Sequence, residues 1–131
     1  MKLFRKKKEE NTPAIVDPTT IEPQNADEYV KRAYAFHARG QYDKADQDLR
    51  QAISMDAHSS EAYYALGLNL KSMGRKEEAI QAFQQSLDYI SQLEKEDTTR
   101  AHMLSRLIKG HINQLTKGEW DLRSEFWDYE G

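Results

Sequence analysis

Residues 60–93 read SEAYYALGLNLKSMGRKEEAIQAFQQSLDYISQL. Apolar side chains recur there three and four positions apart, at Tyr63, Leu66 and Leu70, and again, beyond Gly74, at Ala79, Phe83 and Leu87. That spacing is the buried stripe of an amphipathic helix. Gly74 stands where the first stripe ends, and glycine readily takes the left-handed conformation that closes a helix. The stretch predicts two helices, about 60–73 and 76–93. The second is the longer, because Leu87, Ile90 and Leu93 carry its stripe onward. Gly67 is costly mid-helix, by roughly 1 kcal/mol relative to Ala, and makes sense where a neighbouring helix comes very close.

Shifted by 34 residues, the chain matches itself. Tyr29 pairs with Tyr63, Ala33 with Gly67, Phe36 with Leu70, Gly40 with Gly74, Ala45 with Ala79, Leu49 with Phe83 and Ala52 with Ser86. Small residues meet small and large meet large, so the first copy predicts helices at about 26–39 and 42–55. Asn25-x-x-Glu28 reads as a capping box for the first of them. A third copy starts in register, with Ala101 one period after Gly67 and Leu104 after Leu70, but Ile108 replaces the turn glycine. Residues 98–117 therefore read as one unbroken capping helix, with Leu104, Leu107, Ile108, Ile112 and Leu115 on its buried side.

The second copy, Tyr63-x2-Leu66-Gly67-x2-Leu70, Gly74 and Ala79-x3-Phe83, resembles the tetratricopeptide repeat (TPR) family. The first is looser, with Arg32 where the family has Leu; Ala57 and Ser91 stand in place of its closing proline. The resemblance implies an all-α array of antiparallel helix pairs wound as a right-handed superhelix. It also implies a concave groove lined by the first helix of each repeat, where partners bind. Carried over by position, the groove residues are Val30, Tyr34 and His37 from the first repeat and Glu61, Tyr64, Leu68 and Lys71 from the second, flanked by Asp27, Ala38 and Ser72. Members that hold a chaperone's terminal carboxylate use a Lys, Asn and Arg set. Val30, Tyr34, Ala65, Lys95 and Thr99 occupy those places here and only Lys95 fits, so that ligand is not expected.

The chain is organised as a leader (1–24), the repeat domain (25–117; repeats 26–59 and 60–93, capping helix 98–117) and a tail (118–131). Pro13, Pro18 and Pro23 mark the leader as extended and disordered. Five basic residues from Lys2 to Lys8 beside Leu3 and Phe4 would add roughly 1 kcal/mol each at an anionic membrane surface. Glu9 and Glu10 partly cancel them, and a solvated start is the expectation. The tail concentrates Trp120, Leu122, Phe126, Trp127 and Tyr129 among five carboxylates and one arginine. Its aromatics point to docking, either back on the cap or groove of the array, or onto another protein or a second copy.

Composition excludes much else. The chain has 131 residues, a net charge of -3 and no cysteine. There is no basic stripe for nucleic acid, no thiolate chemistry, no apolar run of membrane-spanning length and no secretory signal. Absence of cysteine fits a reducing cytoplasm. No phosphate loop, catalytic carboxylate pair or metal spacing appears. His102 and His111 fall on opposite faces of one helix, and Asp43, Asp46, Asp48 and Asp56 read as a solvated face. The expectation is a cytoplasmic adaptor that binds another protein or peptide, with no cofactor, metal, small-molecule substrate or enzymatic activity. Self-association or membrane-peripheral assembly through the tail is the second reading.

Overall fold

A computed structural model describes residues 17–120. The described chain is built from helices: α1 (Ala26–Ala38), α2 (Tyr42–Met55), α3 (Ser60–Ser72), α4 (Lys76–Asp88), α5 (Ile90–Glu96) and α6 (Thr98–Lys117). α1 pairs with α2 and α3 with α4, α2 joins the two pairs by packing on α3, and α6 lies against α4 and α5.

The helix ends follow from local chemistry. Asn25 Oδ1 accepts the Glu28 N–H at 2.9 Å, while the Glu28 carboxylate accepts the Gln24 N–H at 3.2 Å, closing the capping box one residue upstream. Ser59 and Asp97 cap α3 and α6 by accepting the N–H groups of Ala62 and Arg100. Gly40 and Gly74 take φ of 74° and 76°. Beyond them the Gln41 N–H donates to the Phe36 carbonyl at 2.9 Å and the Arg75 N–H to the Leu70 carbonyl at 3.0 Å. One helix-closing motif thus recurs at the repeat period.

The core runs through both pairs, with Ala33, Ala45 and Leu49 from the first, Leu66, Leu70, Ala79 and Phe83 from the second, and Leu104 and Ile108 from α6. Two fully buried polar groups tie its parts. Asn69 Nδ2 donates to the Tyr42 carbonyl at 2.9 Å, and its Oδ1 lies 3.0 Å from His37 Nδ1, which joins α3 to both helices of the first pair. The amide is satisfied on both arms, as a buried polar group must be. Ser60 and Ser86 exchange hydrogen bonds: each hydroxyl donates to the other's carbonyl at 2.6 Å.

The second tie corrects the fourth helix. The stripe through Leu93 predicted one helix to residue 93, but α4 stops at Asp88 and α5 begins at Ile90. The break falls where Ser60 Oγ takes the Ser86 carbonyl, the acceptor that the Ile90 N–H would use in an unbroken helix.

Three further expectations change. Asp48 is not on a solvated face: it is 5% exposed and forms a two-pronged pair with Arg32, Nε to Oδ2 and Nη2 to Oδ1, both 2.8 Å. The arginine at the family's Leu position is therefore matched by a carboxylate on α2, and its guanidinium lies 5.5 Å from the Tyr29 ring and 5.8 Å from that of Phe36. Leu107 is 37% exposed rather than buried. Its neighbour Ile108 is fully buried, so α6 is turned to set Ile108 into the core and Leu107 at the edge of the stripe. The end of the leader is also structured: Pro18–Thr20 forms a 3-10 turn capped by Asp17, and Pro23 is buried. Asp17 pairs with Arg39 at 2.8 Å, and the Arg39 guanidinium with the Thr19 donors pulls its carboxyl down to about 2. Residues 1–16, including the basic run Lys2–Lys8, lie outside the described residues.

Candidate functional site

The first helices of the repeats, α1 and α3, and the capping helix α6 enclose a cleft of about 190 Å³. Tyr34 stands on α1, Glu61 and Tyr64 on α3, and Arg100, Met103, Leu104 and Leu107 on α6. Tyr34, Met103 and Leu107 are exposed at 41%, 58% and 37%. Exposed aromatic and apolar side chains gathered around one hollow are what a small binding site presents. Its polar rim is the Glu61–Arg100 ion pair, which bridges α3 to α6. Desolvation, reinforced by Tyr64 and Glu61, pushes the Tyr34 hydroxyl up to about 12, so it stays neutral and able to donate.

Tyr64 links this cleft to a ring cluster beneath it. Its ring lies 5.8 Å from Phe83, and its hydroxyl is 3.3 Å from His111 Nε2. His111 stacks on Phe83, ring centroids 4.9 Å apart and planes 4° apart, and Lys71 Nζ approaches its Nδ1 at 3.1 Å. An ammonium can only donate, so Nδ1 holds the lone pair and Nε2 the proton. Burial, with the Lys71 charge beside it, pushes His111 down to about 4, so the imidazole is neutral at pH 7.

After α6, Gly118 turns left-handed at φ 82° and the chain doubles back. Trp120 returns to α6, its indole filling the space that a Cβ on Gly110 would need and meeting His111 edge-on at 4.8 Å. With Thr99, His102, Met103, Arg106 and Leu107, Trp120 lines a shallow depression of about 500 Å³. Met103 and Leu107 belong to both hollows, so the surface runs on from Tyr34 to Trp120.

Of the seven expected groove residues, Tyr34, Glu61 and Tyr64 meet in the cleft. Val30 and Leu68 are half-buried against the core. His37 is held by Asn69 and sits edge-on to Tyr42, and Lys71 is engaged by His111 and Gln114. Of the tail residues, Trp120 is placed as described; Leu122, Phe126, Trp127 and Tyr129 lie outside the described residues. Sequence reasoning missed Arg100, Met103 and His111. The signal was the width of the apolar stripe on α6, which spans about half the helix circumference from Met103 to Ile112, broader than one packing face requires.

Two TPR family models match, one over residues 33–74 and the other, the tetratricopeptide repeat, over 60–92. Residues 33–92 are tetratricopeptide repeats. This TPR chain is 37% identical over 68 residues to the small glutamine-rich tetratricopeptide repeat-containing protein 2 of Mycosarcoma maydis. It is 38% identical over 66 residues to the protein of the same name from Saccharomyces cerevisiae. These matches cover 52% and 50% of the TPR chain and 19% of each relative, so the chain spans about a fifth of their length. No solved structure gives a significant match. TPR repeats serve protein–protein interaction. Among the described residues no helix is long and apolar enough to cross a membrane.

Proposed function

We propose that the chain is a protein-interaction adaptor that takes a segment of another protein in the cleft between α1, α3 and α6, and that it is not an enzyme. The observation that carries this reading is the exposure of Tyr34, Met103 and Leu107 around one hollow, closed at its rim by the Glu61–Arg100 pair. Aromatic and Met side chains in a pocket are what a partner anchors on. The resident ion pair offers a charged partner group an exchange of contacts.

A peptide library screened against the full chain and against Tyr34→Ala and Met103→Glu variants tests it. Selected peptides should bind the variants more than about tenfold more weakly, the loss of one anchor contact. Met103 is 58% exposed, so the unfolding midpoint of the Met103→Glu variant should stay put. Peptides that bind parent and variants equally would place the partner surface elsewhere.

A further inference from the structure

We infer that residues 121–131 of this chain lie along the Met103–Leu107 face of α6 and reach into the Tyr34–Tyr64 cleft in cis, as a built-in competitor for the partner. This rests on the cleft being the partner site and names what regulates it.

Three observations converge. The first is position. Gly118 reverses the chain, and Trp120 is already seated against Gly110 and His111 at one end of the continuous surface. Trp120 shares its depression with Met103 and Leu107, on the side of α6 that runs back toward Arg100, so the segment that follows is tethered there. The second is reach. From Gly110 to Arg100 a helix rises about 15 Å, whereas six extended residues, Trp120 to Phe126, span about 20 Å. Phe126 and Trp127 can thus arrive at the cleft with chain to spare.

The third is charge and shape. α6, from Thr98 to Lys117, contains Arg100, Arg106, Lys109 and Lys117 and not one Asp or Glu. Residues 121–131 contain Asp121, Glu125, Asp128 and Glu130 against Arg123 alone, interleaved with Leu122, Phe126, Trp127 and Tyr129. An acid-free helix with an exposed Met and Leu faces a segment of carboxylates and aromatics tethered at its own lip. Opposite potentials select such a pairing. A short tether also supplies a local concentration of roughly millimolar, which a free partner must overcome.

The full chain labelled with 5-fluorotryptophan tests this by ¹⁹F NMR, the two resonances assigned with Trp127→Phe. The expected result is a Trp127 resonance well away from its position in 6 M urea and with a reduced H2O/D2O shift. Leu107→Glu should return it to the urea position while helicity and melting are retained. Met103→Glu, at a more exposed position, serves the same purpose if Leu107→Glu unfolds the chain. Phe126→Ala/Trp127→Ala should bind library-selected cleft peptides about tenfold more tightly than the parent.

A native Trp127 resonance that coincides with the urea value overturns the proposal. So does one that is protected but indifferent to both cleft variants, and so does protection that depends on protein concentration, which would put the tail on a second copy. The NMR readout needs no partner, so failure to select any cleft peptide even with the Phe126→Ala/Trp127→Ala chain, whose tail no longer competes, would sink the adaptor reading and leave the tail result standing.

Discussion

The Phe83 ring lies against Gly67 so closely that a Cβ placed there would stand 2.6 Å from two of its carbons. Phe83 is fully buried, with His111 stacked on it, so it cannot swing aside. Gly67→Ala should therefore destabilise the fold. Overpacking costs about 1–3 kcal/mol, set against roughly 1 kcal/mol gained in helix propensity. A net loss on the order of 1 kcal/mol in urea unfolding is expected; a stabilised variant would mean the helices can separate at little cost.

Arg32 and Asp48 form a pair in which the arginine side chain keeps 20% exposure and the aspartate 7%. Removing one member leaves the other charge half-desolvated. Asp48→Ala should cost about 2 kcal/mol, below the 3–5 kcal/mol of a fully buried pair. The double change Arg32→Leu/Asp48→Leu should recover most of that, because it restores the apolar contact that the family's Leu position implies. A double variant as unstable as the single one would show that the pair has a role beyond matching its own charges.

Much of this fold could be read from spacing alone. Tyr29 with Tyr63, Gly40 with Gly74 and Leu49 with Phe83 are matches along the chain, and helix periodicity converts them directly into elements. What stayed hidden are contacts between residues whose meeting depends on how helices dock. Arg32 reads as a flaw until Asp48 is seen opposite it. Ser86 reads as a small-residue substitute until Ser60 is seen to take its carbonyl and end α4. The candidate cleft was half legible: Tyr34 and Tyr64 follow from repeat position, but the rotation of α6 that brings Met103 and Leu107 to the same hollow is set by packing.

Gly110 is tolerated mid-helix because Trp120 occupies the space beside it. Gly110→Ala should expel the indole, which is already 45% exposed. Tryptophan emission should shift to the red, while the helix gains up to about 1 kcal/mol of propensity. An unshifted spectrum would show that Trp120 does not depend on that seat.

His111 gives the fold a dependence on mild acid. Its folded value of about 4 lies below the ordinary 6.5. Between those values the unfolded chain binds the proton more readily, so stability falls as pH drops from 6.5 toward 4 and is fully present above 6.5. The ring is only half-buried, so the loss should be on the order of 1 kcal/mol after solvent screening. His111→Phe, which keeps a ring on Phe83, should flatten the parent's slope in that window. Parallel slopes would remove His111 as the cause.

The exchange of hydroxyls between Ser60 and Ser86 has no counterpart one period earlier, where Ala26 and Ala52 stand. It clasps the first turn of α3 to the last turn of α4, so the second repeat is shut at its open end and the first is not. Opening of the array is therefore unequal. Amide hydrogens of α1 should exchange through fraying that leaves the rest intact, while those of α3 and α4 should wait for cooperative, near-global opening.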